Sequence, residues 1–142
     1  MSFRISPFEI SFLNQLEKLP PEEWQTNAYE LFLHNEWQPW FYPIQAVSDN
    51  QLVGFGMLFS FEEFAWLGWI LVHPDFRNKG IGTAITKHLI NIASEKRAKG
   101  IILTATEMGR PIYEKLGFKN SSSYRFFKLP EVYFSEYDKS RI

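Results

Sequence analysis

Val72-His73-Pro74-Asp75-Phe76-Arg77-Asn78-Lys79-Gly80-Ile81-Gly82-Thr83 is the stretch of this 142-residue chain that decides its fold. Ahead of it, Phe64 to Val72 is apolar on both faces, as a central strand covered on each side must be. Behind it, Ile81, Ile85, Leu89 and Ile92 recur at helical spacing. This predicts a long helix running to about Lys99, with a basic last turn and Gly100 as its stop. A strand thus feeds a glycine-containing loop at a helix start, where backbone N–H groups lack intrahelical partners and suit a phosphate. Gly80 and Gly82 admit a close backbone approach, and Arg77 and Lys79 add positive charge. A lone G-x-G also occurs in plain turning loops. The spacing is not G-x-x-x-x-G-K-[ST], and G-x-G-x-x-G would need glycine where Ile85 stands, so neither ATP nor NAD is favoured.

Working outward to the N-terminus, Phe61-Glu62-Glu63 reads as a turn, and Phe41 to Val47, Ser48-Asp49-Asn50 and Leu52 to Phe59 as a hairpin. Phe3 to Ile5 is read as a short leading strand. Ser6-Pro7-Phe8-Glu9 has the pattern of a helix start, with Phe8, Phe12, Leu16 and Leu19 as its stripe and Pro20-Pro21 as its end. A second helix follows, with Trp24, Ala28, Leu31 and Asn35 on one side. Towards the C-terminus, Ile101 to Thr106 predicts a strand and Pro111 to Leu116 a short helix ended by Gly117. Tyr124 to Leu129 and Val132 to Tyr137 are expected to be closing strands. Helices and strands mix as α+β, without a repeat or a linker, so residues 1–142 are expected to form one domain.

Two motifs at a fixed separation resemble those of the Gcn5-related N-acetyltransferase (GNAT) superfamily. Val72, Pro74, Arg77, Gly80 and Gly82 match each fixed position of its acetyl-CoA loop, V-x-P-x-x-[RQ]-x-x-G-x-[GA]. Tyr113-Glu114-Lys115-Leu116-Gly117-Phe118 is similar to its Y-E-K-L-G-F signature. The resemblance covers about residues 50–120 and implies a mixed central sheet of about six to seven strands flanked by about four helices. It implies an enzyme that moves acetyl from acetyl-CoA to a primary amine, the alternative being a non-catalytic acetyl-CoA-binding sensor module. An acyltransferase for a longer acyl chain is a further variant.

Carried over position by position, the resemblance assigns the pantetheine arm to the backbone of Ile70, Leu71 and Val72. It places the pyrophosphate on the amides of Arg77, Asn78, Lys79, Gly80, Ile81, Gly82 and Thr83. Tyr113 takes the place of the residue that protonates the departing CoA thiolate, a role a phenol can fill at neutral pH. The other reading of Tyr113 is an aromatic that packs beside the cofactor. Many relatives carry asparagine where Thr106 stands, seven residues before the tyrosine, and the shorter threonine is the matching candidate for a pantetheine contact. Gly109 and Pro111 shape that loop differently from its commoner alanine-rich form. Without cysteine there is no covalent acetyl-cysteine route, so the amine is expected to attack directly in a ternary complex. Phe64 to Val72 holds no acid or histidine to act as general base. Glu62, Glu63, Glu107, Glu36, His34 and His73 are the remaining candidates, each also readable as a solvated surface group, and none is assigned.

The whole-chain charge of −1 hides two unequal halves, with two basic and nine acidic side chains in residues 1–70 against thirteen and seven in 71–142. An acidic first half favours a cationic acceptor, whether a small molecule or a peptide amine. Trp37-Gln38-Pro39-Trp40-Phe41-Tyr42 could wall the acceptor pocket or pack beneath the second helix. A pI near 6.3 without a basic aromatic stripe argues against nucleic acid. His34, His73 and His88 are too scattered for a metal site. The absence of a signal segment or a long apolar run argues against a membrane and makes the cytoplasm the expected location. A homodimer is compatible with the resemblance, with the aromatic segment from Tyr124 to Phe134 as either its interface or the finish of the core.

Overall fold

The computed structural model describes residues 1–24, 27–123 and 125. Among them a five-stranded sheet runs in the order β1-β2-β3-β4-β5, formed by Arg4–Pro7, Phe41–Ser48, Gln51–Phe61, Phe64–Val72 and Gly100–Leu103. The first three pairings are antiparallel and the last, β4 with β5, is parallel, so the sheet is mixed. The helices are α1 (Leu13–Leu16), α2 (Ala28–Asn35), α3 (Ile81–Glu95) and α4 (Arg110–Lys115). This is the α+β arrangement expected from the sequence. The closing strands expected at 124–129 and 132–137 lie outside the described residues.

The hairpin and the central strand fall where their turn residues put them. Asp49 and Asn50 adopt φ of 47° and 59°, the left-handed pair a two-residue hairpin turn requires. Glu62, at φ 44°, turns β3 into β4. β3 is buried along nearly its whole length because both faces are covered. Leu13, Leu16, Ala28 and Phe32 of α1 and α2 pack on one face with Phe55 and Met57. Ile81, Ile85 and Leu89 of α3 pack on the other with Ile44, Val53 and Leu58. α3 lies close because β3 has glycines beneath it. A Cβ on Gly54 would sit 2.7 Å from Ile85 Cδ1, and one on Gly56 would sit 2.6 Å from Ile85 Cγ2.

Four expectations need correction. Ser6 and Pro7 do not open a helix, because they end β1, where Ser6 pairs with Gln45 and Pro7 with Ile44. The buried Gln45 side chain accepts from the Glu9 N–H and donates to Ser6 Oγ and Glu9 Oε1, taking the partners a helix cap would use. The helical segment therefore begins later, as a 3-10 turn at Ile10–Phe12 leading into α1, and buries Leu13, Leu16 and Leu19. On α2 the side facing the core is Ala28 and Phe32, with Leu31 and Asn35 only partly buried.

At its other end α3 stops at Glu95 instead of reaching Lys99. Arg97 takes the left-handed φ of 62° and Ala98 N–H reaches back to Ala93 O at 3.0 Å, closing the helix before Gly100. Gly100 instead starts β5, with the Phe64 ring 2.9 Å from where its Cβ would stand. β5 in turn ends at Leu103, three residues short of Thr106.

Candidate active site

The site forms where β4 parts from β5. Their register runs from Phe64↔Gly100 to Leu67↔Leu103 and stops, so Gly68 to Val72 have no partner on that side among the described residues. On the β3 side the register jumps from Met57↔Gly68 to Phe55↔Leu71. One residue of β3, Gly56, therefore faces two of β4, Trp69 and Ile70, which is a β-bulge. Trp69 pays for it with a φ of 54°, a strain of about 1–2 kcal/mol for a bulky side chain.

Backbone direction beyond the bulge follows from one bond. His73 N–H donates to Val53 O at 2.9 Å, so it points at β3. Alternation along the strand then turns the Val72 N–H and C=O into the gap. The Val72 carbonyl accepts from Arg77 Nε at 3.3 Å, which ties the following loop to the end of β4.

The loop makes a concave run of amides. Asn78 and Gly80 both have left-handed φ, 59° and 81°, with Lys79 between them. Gly80 is also the N-cap of α3, which no side chain caps. Among the described residues no backbone or side-chain acceptor takes the N–H groups of Asn78, Lys79, Gly80, Ile81, Gly82 or Thr83. Uncapped helix amides together with alternating φ signs form an anion nest. Lys79 stands over the Phe76 ring, 5.3 Å from its centroid, at the rim.

The two glycines serve different ends. A Cβ on Gly80 would meet nothing within 4 Å, so its backbone conformation is what demands glycine. Gly82 is buried, and its Cβ would lie 3.2 Å from Ile112 Cδ1 and 3.6 Å from Val72 Cγ2. It is the point where α3, α4 and the end of β4 meet.

α4 meets this junction through Ile112, and Tyr113 follows it on the same helix. Its ring lies back over Gly109, where a Cβ would be 3.0 Å from Cε2 and 3.3 Å from the hydroxyl oxygen. Phe118 meets the ring edge-on, with centroids 6.1 Å apart. Burial pushes the phenol above its ordinary value of 10.0, which keeps the hydroxyl protonated through the neutral range. Thr106 has a local task. Its Oγ1 and carbonyl oxygen both accept from Gly109 N–H, and the carbonyl also accepts from Arg110 N–H, so Thr106 shapes the turn that starts α4.

The candidate bases divide by position. Glu62 and Glu63 lie at the start of β4, about 16–30 Å along the strand from the gap, and Glu63 is paired with Lys99. His34 is exposed and contacts Glu30. Glu36 lines a cavity of about 480 Å³ with Phe8, Phe41 and His88, at the β1–β2 edge and not at the gap. His73, next to the gap, accepts from Asp75 N–H through Nδ1. Among the described residues no cluster of three or more His, Cys, Asp or Glu could hold a metal, and no helix is long and apolar enough to cross a membrane.

The Trp37–Tyr42 segment packs in more than one way. Trp40 joins Phe59 and Phe61, with centroids 5.7 and 5.8 Å away, while Trp37 is 88% exposed. A separate aromatic pair, Trp24 and Trp69, meets edge to face at 5.9 Å on the α1–α2 face of β4. Neither stands out by periodicity. Gly68 inside an apolar strand, flanked by tryptophans at 66 and 69, is the signal that marks the bulge.

Acetyl-CoA fits what the chain offers: a strand edge with free polar groups for an amide-bearing arm, and six uncommitted amides for a pyrophosphate. The profile of the acetyltransferase (GNAT) family matches residues 10–118. A glucosamine 6-phosphate N-acetyltransferase of Trypanosoma brucei brucei is 38% identical over 50 residues, which is 35% of this chain and 34% of that protein. The uncharacterised N-acetyltransferase YitH of Bacillus subtilis (strain 168) is 33% identical over 85 residues, 60% of this chain and 29% of its own length. The match thus spans about a third of each of these relatives. The crystal structure of an acetyltransferase from Trypanosoma brucei superposes with a TM-score of 0.74 at 20% identity, covering 90% of this chain and all of that one, a likeness of fold. With the family profile spanning the strand, the anion nest and the tyrosine helix, the chain belongs to the GNAT acetyltransferase family.

Proposed function

We propose that the protein transfers the acetyl group of acetyl-CoA to a primary amine, by direct attack in a ternary complex. The observation that carries this reading is the junction of the open β4 edge with the uncapped start of α3. The backbone of Ile70, Leu71 and Val72 holds the pantetheine arm, and the amides from Arg77 to Thr83 hold the pyrophosphate. Thr106, through its remaining hydrogen-bonding capacity, borders the arm from the α4 side.

The Val72 N–H faces the thioester carbonyl and stabilises the negative charge that develops on its oxygen; one such donor is worth about 3–4 kcal/mol. As the new N–C bond forms and the C–S bond breaks, Tyr113 donates its hydroxyl proton to the departing thiolate sulfur. The nitrogen's surplus proton leaves to water, since no acid or histidine lies on β4. Juxtaposing the two substrates supplies much of the remaining acceleration.

The test is a continuous thiol-release assay with acetyl-CoA across alkylamines, arylalkylamines, polyamines, aminoglycosides, amino acids and short peptides. Gly80→Val, which forces a β-branched residue to a left-handed φ, is the control. CoA release that depends on one amine class and falls more than tenfold in the control supports the transferase. Tight acetyl-CoA binding without turnover on any amine refutes it and leaves a sensor module.

A further inference from the structure

Among the described residues six non-glycine positions have positive φ, and five lie in turns, loops or a helix end: Asp49, Asn50, Glu62, Asn78 and Arg97. The sixth, Trp69, is inside a strand. The bulge has a definite effect on side-chain direction. Trp66 and Trp69 both pack against the α1–α2 face, as does Leu71, while Ile70 and Val72 pack against the α3 face. Strict alternation would send Trp69 to the α3 side with Leu67, because residues 67 and 69 are two apart. The bulge turns it over.

Gly68 leaves room for this. The Trp66 ring folds over it, with Cη2 2.9 Å from where a Cβ would stand. Trp24 comes from the 3-10 turn Glu22–Trp24 before α2 and meets Trp69 edge to face at 76°. Both indoles are only partly buried. They form an apolar wall beside the stretch of β4 whose backbone opens into the gap, one to three residues from Val72 on Trp69's side of the strand.

Three carboxylates of the first half have basic neighbours, Glu63 with Lys99, Glu30 with His34 and Glu9 with Arg4. The two indoles offer apolar area that an apolar stem can cover.

We propose that Trp24 and Trp69 are the specificity-determining residues of the acceptor site, and that the acceptor is a primary amine on an apolar stem, aryl or alkyl. This rests on the transferase reading above. The bulge keeps Trp69 at a strained φ because only that turn of the strand puts an indole on the acceptor side.

The experiment compares kcat/KM for 2-phenylethylamine, ethylamine and spermidine in wild type, Trp24→Ala and Trp69→Gly. Glycine at 69 removes the ring and relieves the strain together, so this variant keeps its fold if Trp24→Ala does not. Burying a phenyl group against the wall gives wild type about a thirtyfold preference for 2-phenylethylamine over ethylamine. Each variant reduces that ratio to about threefold or less and leaves the KM for acetyl-CoA within about twofold. A ratio unmoved in both variants overturns the proposal, as does a wild-type preference for spermidine, or an equal loss on all amines with a raised acetyl-CoA KM. Absence of turnover on any amine by wild type overturns the transferase reading as well, and so is distinguishable from failure of the wall alone.

Discussion

Replacing Gly80 separates backbone conformation from space as the reason for a glycine in the anion nest. Its φ and ψ are 81° and 1°, and a Cβ there would meet nothing within 4 Å. The cost of Gly80→Ala is therefore local strain alone, about 1–2 kcal/mol. That strain has two outlets. If the loop holds its shape, the folded state carries the strain, and the melting temperature falls by about 3–6 °C. If the loop relaxes to negative φ, the amides of Asn78 to Thr83 no longer converge, and acetyl-CoA binds about 5–30-fold more weakly. Gly80→Asn tolerates the left-handed region better and recovers most of either loss. Urea unfolding and acetyl-CoA titration calorimetry on the two variants read both outlets together. If alanine leaves stability and affinity unchanged, or if asparagine harms them as much as alanine does, the conformational account of this glycine is refuted.

Tyr113→Phe lowers kcat by about a hundredfold in the thiol-release assay while acetyl-CoA KM stays within about twofold. Because burial raises the phenol's pKa, the folded chain keeps a proton that the unfolded chain gives up near pH 10. The associated stability is whole below that pH and is lost as pH rises through the folded-state value, so urea melts between about pH 9 and 11 fall less steeply for the phenylalanine variant. Gly109→Ala sets a methyl 3.0 Å from Tyr113 Cε2, displaces the ring, and lowers kcat with acetyl-CoA affinity little changed, measured by the same assay and by calorimetry. Gly56→Val brings a branched side chain onto Ile85 Cγ2, 2.6 Å from the Cβ position, and lifts α3 off β3. It destabilises by about 1–3 kcal/mol in urea unfolding.

The strands and the phosphate loop were legible because their signals are local. Asp49-Asn50 is a two-residue turn between alternating runs, and an apolar run ending in His73-Pro74 followed by Gly80 and Gly82 is a strand entering a helix start. The N-terminal helix was misread because its cap pattern is genuine but outcompeted. Gln45, 36 residues away, takes the Glu9 N–H, and strand pairing takes Ser6. Nothing within ten residues of Ser6 records that partner. The end of α3 was misread for a related reason, since Arg97 adopts the left-handed conformation that glycine usually supplies while Gly100 is needed by β5. At the site, Tyr113 and the loop came from motifs. The Trp24–Trp69 pair joins residues 45 positions apart through a bulge, which no spacing encodes.

The bulge and the gap are best understood as one event. A residue added on one strand raises the local twist and bends that strand away from a neighbour it would otherwise follow. Here the parallel pairing ends at Leu67↔Leu103, and the added residue enters β4 directly after Gly68. β5 ends where its partner's path diverges. The chain then turns through Thr106 into α4, whose Ile112 stands at Gly82 near the start of α3. Removing the bulge would restore alternation, let β4 and β5 pair further, and close the edge on which the Val72 N–H depends. Strain at Trp69 is thus the local cost of keeping the β4 edge open. The packing of Gly54 and Gly56 beneath α3 sets the run of free amides at the start of that helix beside the same opening. A site made by interrupting a sheet needs its walls held from both faces. The 3-10 turn before α2 braces one with Trp24 against Trp69, and α3 braces the other with Ile81 and Ile85 against β3.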